Sequence, residues 1–159
     1  MAKQTHASDI AARVSALGLN TSPAAGGTPA NPTAIGNTSL KMAGLAQAFT
    51  PSGSGQVLVI VTGTAATATA AQAITLGGRY GTGSAPANAA AVTGTRFGGA
   101  TDQTLGPASA AAAGIGFALT AVLQLAPGVA YWFDLALATA NAGDVVSASS
   151  VGMSIIELP

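Results

Sequence analysis

A chain of 159 residues with no cysteine and ten charged side chains, five of each sign, can bury a core of its own in one domain but offers no disulfide and no thiolate chemistry. Charged residues make up 6% of it, against about 25% in an average soluble domain, which excludes the positive patch that nucleic acid or an anionic membrane requires. With 38 Ala and 21 Gly in the chain, little charge is left to keep molecules apart, and a surface covered by sister subunits or by a larger assembly is expected.

Residues 1–19 carry the one helical pattern. Ile10, Val14 and Leu17 fall at i, i+4 and i+7, one face of a helix. Ser8 can cap its start with Asp9 in the first turn, Asp9 and Arg13 form an i, i+4 pair, and Gly18 stands where the helix would stop. Three turns are marginal alone, so the stripe must dock, either on its own domain or as an arm on a neighbouring molecule. No apolar core of signal-peptide type precedes Gly18. Asn20–Pro32 has three prolines and no large apolar residue and reads as an extended linker. The expected organisation is therefore a helical arm and linker over 1–32 and a β domain over 33–159. The sequons at Asn20 and Asn37 carry no weight without a secretion signal.

In the β domain, Leu40–Phe49 reads as a strand closed by the turn Thr50–Gly55. Gln56–Gly63 follows, apolar on both faces: Val57, Val59 and Val61 on one, Leu58 and Ile60 on the other. A sandwich strand normally keeps one wet face, so this one is expected to be central or to face a subunit contact. Thr64–Ala71 reads as a loop or weak strand. Gln72–Tyr80 is a strand in which Gly77 and Gly78 mark a bulge or a close backbone approach. Gly81–Ala91 is a loop, Val92–Phe97 a short strand and Gly98–Ala113 a long loop. Ile115–Leu125, Val129–Ala138 and Val146–Leu158 are the last strands, joined by turns at Pro127-Gly128 and Asn141–Asp144. Ala108–Ala126 has the length of a membrane span, but Gly114 and Gly116 interrupt it, its alternation has strand period, and no Lys or Arg flanks it. Seven to nine strands without interleaved helices predict an all-β fold, an antiparallel β-sandwich of jelly-roll-like form with a short N-terminal helix or arm.

The chemistry is sparse. His6 is the single histidine, so neither an ordinary zinc site nor a Ser-His-Asp set is expected. Asp102, Asp134, Asp144 and Glu157 are expected to face solvent or to pair with Arg79 and Arg96, rather than to act as a glycosidase pair. No phosphate-binding glycine loop is present. Catalytic, cofactor and metal residues are therefore not assigned. Tyr80, Tyr131 and Trp132 are the aromatic candidates for a sugar platform. Tyr131, Phe133, Leu135 and Leu137 form one stripe, read as core. Trp132 shares the other face with Asp134, Ala136 and Ala138, and reads as a buried indole with its N–H satisfied or, alternatively, as an exposed lectin ring.

The segments TAIGNTSLKMAGLAQAFTPSGSGQVLVIVTG, ITLGGRYGTGSAPANAAAVTGT, LAPGVAYWFDLALATA and SIIEL resemble small β-rich virion structural proteins of tailed bacteriophages and prophages. The resemblance covers most of 33–158 and leaves out the N-terminal helix and linker. It implies a non-enzymatic virion protein, a capsid decoration (cement) protein that stabilises the assembled head as an oligomer, commonly a trimer. The alternative is a head or tail fibre or spike module that binds a host-surface glycan. Implied partners are copies of the chain and the major capsid protein or another virion protein, with no cofactor, nucleic acid or membrane. The implied location is the phage particle surface, after synthesis in the host bacterial cytoplasm. Ile10, Val14, Leu17, Leu58 and Ile60 are the expected oligomer or capsid contacts.

Overall fold

The computed structural model describes residues 24–27, 35–36, 38–69, 72–107 and 110–159. The predicted helix, with Ile10, Val14 and Leu17, lies outside them. Ten strands form among the described residues: β1 Ala24–Gly27, β2 Lys41–Met42, β3 Gln47–Phe49, β4 Gln56–Thr67, β5 Ile74–Thr82, β6 Thr95–Phe97, β7 Gln103–Leu105, β8 Ile115–Gln124, β9 Tyr131–Thr139 and β10 Val146–Glu157.

Every pairing between them is antiparallel. One sheet has the order β1-β10-β4-β8, the other β2-β9-β5-β6, with β3 also on β9 and β7 also on β5. From β4 onward the long strands alternate between the sheets. If β2 and β3 count as one interrupted strand, and β6 and β7 as another, this is the eight-strand order of a jelly roll. The expected all-β antiparallel sandwich is the fold of this chain.

The core lies between the sheets. Val57, Val59 and Val61 of β4 are fully buried and face Leu76, Phe133, Leu135 and Leu137 of the opposite sheet in one apolar cluster with Met153 and Ile155. Period-two alternation places them there, since every second side chain of a strand points to the same face. β8 shows the same parity: Phe117 and Leu119 are buried and Ala118 and Thr120 exposed. Its alternation was legible as strand rather than membrane helix, and no helix among the described residues is long and apolar enough to cross a membrane.

Both faces of β9 are buried. The outer one is covered by Leu40–Ala43 and Asn88–Ala91: Met42, Trp132 and Ala136 pack with Leu40 and Ala90, and the two segments bond at Met42 N–H to Ala90 C=O, 3.0 Å. β9, more than β4, is the strand without an open face. β4 is central, as expected, but its outer face stays half open.

Two turns have the chemistry expected of them. Pro127-Gly128 closes the β8–β9 connection with Val129 N–H donating to Ala126 C=O at 3.3 Å. Gly128 has φ of 78°, the left-handed value that the third position of a type II turn requires. In Asn141–Asp144, the Asn141 side-chain oxygen accepts from Gly143 N–H at 3.0 Å, an Asx-turn.

Three sequence expectations need correction. Leu40–Phe49 is two short strands, because the backbone at Gly44 and Leu45 turns its N–H groups to the Asp134 carboxylate instead of to the β9 backbone. Gly98–Ala113, read as a loop, contains β7 paired with Ile74–Leu76 of β5, while Thr64–Thr67, read as a loop or weak strand, continues β4. β1 lies within the stretch read as linker and pairs with β10 through Ala24 and Ile156. Its four small residues carry no β-branched or aromatic signal.

Candidate functional site

The fate of the charges organises the surface. Arg79 is buried and binds Asp102 in a fork, Nη2 to Oδ2 at 2.9 Å and Nη1 to Oδ1 at 2.8 Å. Arg96 joins from the adjacent strand at 3.8 Å and also donates to the Ala100 carbonyl. Gly77 is the close approach that the sequence suggested, since a Cβ there would stand 2.0 Å from Asp102 Oδ1. Gly77→Ala is therefore expected to displace the ion pair and cost about 1–3 kcal/mol. The measurement is the urea midpoint, and the penalty should shrink in an Arg79→Ala, Asp102→Ala background, where the obstructing atoms are gone.

The other acids were expected to face solvent or an arginine, and they do neither. Asp134, fully buried in β9, accepts N–H bonds from Leu45 at 2.9 Å and Leu135 at 2.7 Å on Oδ1, and from Gly44 at 2.9 Å on Oδ2. Burial pushes its carboxyl above the usual aspartate range, and the three N–H bonds only partly offset this. Glu157 binds the turn Pro51–Gly55, accepting from the backbone N–H of Ser52, Gly53 and Gly55, each at 2.8 Å, and from the Ser52 hydroxyl. Burial again pulls upward, but the Ser52, Gly55 and Gly53 amides outweigh it and hold Glu157 below the ordinary glutamate value. Asp144 accepts from Thr69 and Val145 N–H. Asp134 and Glu157 each fasten a loop to a strand, and Asp144 ties the turn before β10 to the residues that follow β4.

The aromatic candidates are internal as well. Trp132 is buried and donates its indole N–H to Thr82 C=O at 3.2 Å. Tyr80 stacks on Phe133 at 5.9 Å between ring centres and also meets Tyr131 and Phe97. The stripe Tyr131, Phe133, Leu135 and Leu137 faces the core as read from its parity.

With Arg79, Asp134, Asp144 and Glu157 buried, the outer face of the β1-β10-β4-β8 sheet is left with small, hydroxyl and apolar side chains in its central rows. Its register sets Ile156, Leu58 and Val122 in one row across β10, β4 and β8, and Ser154, Ile60 and Thr120 in the next. Gly152, Thr62 and Ala118 follow. Leu58 and Ile60, named from the sequence, are half-buried here, while Ile156 is 36% and Val122 57% exposed. No charged side chain stands in these rows. Ile10, Val14 and Leu17 fall outside the described residues, so their relation to this face is not part of its geometry.

Val122 and Ile156 were missed as contact residues. Their signal is an apolar side chain at the parity of Thr120, Gln124 and Ser154, polar positions of the same strands. The register that aligns them with Leu58 depends on pairing between distant strands. The face offers a flat apolar row edged by hydroxyls and small residues, suited to contact and not to bond chemistry. No protein-family model matches the chain, and no curated protein matches it.

Proposed function

We propose that the protein is a non-enzymatic structural component of a tailed-phage particle, of the capsid-decoration kind, which binds the assembled head as a homo-oligomer. The observation that carries this reading is the internal use of charge. Arg79, Asp134, Asp144 and Glu157 are all buried, and the outer sheet face presents Ile156, Leu58, Ile60 and Val122 instead. Such a face is stabilised by being covered, at roughly 25 cal/mol for each Å² of apolar surface removed from water. The phage context itself rests on the resemblance of 33–158, and so does the trimer. The jelly roll is shared by capsid proteins, lectins and cupins, so the fold alone selects none of these tasks.

The mechanism is binding to an assembled state. A protein that engages the closed shell and not its free subunits stabilises the shell by mass action. The outer face supplies one contact and the residues before β1 a second. The rings that a glycan-binding fibre module could use are engaged within the chain: Trp132 is covered by Leu40–Ala43 and Asn88–Ala91 and bonds Thr82, and Tyr80 and Tyr131 are half-buried against the core.

The test adds purified protein to undecorated particles of the phage whose genome encodes it. Saturable binding and survival at a higher temperature are expected, with both reduced by Ile60→Asp. Particles that neither retain the protein nor resist heat better would overturn the reading.

A further inference from the structure

The two sheets end differently. The second sheet is bordered by strands of two or three residues, β2, β3, β6 and β7, which carry Lys41 and Arg96 and are interrupted at Ala43–Ala46. Short, charged, broken edges are the usual protection against strand addition. The first sheet ends on one side at β1, four residues long, and on the other at β8. β8 runs ten residues, IGFALTAVLQ, with no charge, no proline and no register shift against β4.

Its free side can be read residue by residue. Leu125 N–H donates to Gly55 C=O at 2.8 Å, and backbone direction alternates along a strand. Leu123, Ala121, Leu119, Phe117 and Ile115 therefore turn N–H and C=O toward β4. Gln124, Val122, Thr120, Ala118 and Gly116 turn theirs away from the sheet, and no described residue pairs with them. On the core side of the same strand Ile115, Ala121 and Leu123 are only half covered, since nothing described lies beyond β8.

We propose that β8 is an assembly edge that pairs antiparallel with β8 of a second copy, across a two-fold axis at Thr120. The occupant is a second copy because the strand is complementary to itself in that register. Thr120 meets Thr120, Ala118 meets Val122 and Gly116 meets Gln124, so every outward N–H and C=O over this span finds a partner. On the core side Leu119 meets Ala121 and Phe117 meets Leu123, large against smaller, which covers the half-open end of the core. No charge lies on either strand, so the direct like-charge oppositions that destabilise paired strands do not arise. The contact is isologous and closed, as a two-fold contact must be. It uses the strand edge and leaves the outer sheet face free for the contact proposed above. It stands whether or not the partner of that face is a phage shell.

Two measurements test it. Amide exchange followed by NMR on the full chain should show Gly116, Ala118, Thr120, Val122 and Gln124 protected as well as Phe117 and Leu119, and should lose that protection on dilution as the particle mass falls by half. Thr120→Pro removes an N–H that no bond among the described residues uses and is tolerated at an edge. It should raise the dissociation constant by about 100-fold through the central interchain bonds it deletes, while Thr120→Ala, which alters the outer face but keeps the N–H, should not. The proposal is overturned if the even-numbered amides exchange freely in an oligomer, or stay protected at monomer mass because the chain's own N-terminal residues cover the edge. A chain that remains monomeric at all concentrations overturns it too.

Discussion

Val59→Asp is expected to leave no folded protein, whereas Ile60→Asp is expected to leave a folded protein that no longer binds the assembled head through its outer sheet face. The two residues are neighbours in β4 and similar in kind, so the difference lies in the face each occupies. Val59 is fully buried between the sheets, and no cation is within the core cluster around it. A carboxylate there must lose its hydration or hold its proton, at a cost of roughly 5 kcal/mol or more. A domain of this size is stable by only about 5–15 kcal/mol. Ile60 is half-buried on the outer face, between Ser154 and Thr120, where a carboxylate keeps its water. Its effect on folding should stay within about 1 kcal/mol, while it places a charge in the middle of an otherwise uncharged contact surface. Circular dichroism with urea titration reads the first effect and co-sedimentation with undecorated particles reads the second. If Ile60→Asp folds and binds particles as the parent does, that face is wet in the assembled state and the decoration reading loses its main support.

What could be read from the sequence was what short-range pattern determines. Alternation placed β8 and the buried stripe of β9, the apolar run placed β4 at the centre of its sheet, and Pro127-Gly128 marked its turn. What escaped depends on residues far apart in the chain. Asp134 breaks the strand at Ala43–Ala46 from about ninety positions away, and no local property of LKMAGLAQAF announces that. β1 is a strand only because β10 offers an edge to it. The contact face was half legible: Leu58 and Ile60 stood out because both parities of β4 are apolar, but their row with Ile156 and Val122 follows from register alone. The buried acids left a signal that points two ways. Asp134 sits in YWFDLALA with apolar residues on either side, which fits a carboxylate bound by backbone amides as well as one at a surface.

Glu157→Ala is expected to cost about 3–5 kcal/mol, because three backbone N–H groups and a hydroxyl lose the one acceptor that gathers them. The loss should be concentrated at Pro51–Gly55 and at the end of β10, so exchange of the Ser52, Gly53 and Gly55 amides should accelerate first. Acid is expected to act on the parent in the same way. The folded-state pKa of Glu157 lies below its unfolded value of 4.5, so its contribution is present above that value and is lost as pH falls through the folded pKa. Asp134 has the opposite sign. Its folded-state pKa lies above the unfolded value of 3.8, so its contribution is full below that pH and is lost as pH rises through the folded pKa. From these two sites together the parent should therefore be most stable between the two unfolded values, 3.8 and 4.5, where the two opposing losses balance. Asp134→Asn keeps only the acid-side loss and should gain stability from about pH 3 to about pH 5 and then level off. Glu157→Ala keeps only the loss on the neutral side and should show no acid limb from this site. A Glu157→Ala curve running parallel to the parent's below about pH 5 would show that this carboxylate is not what fastens the turn to β10. The amides of Ser52, Gly53 and Gly55 would then need another acceptor.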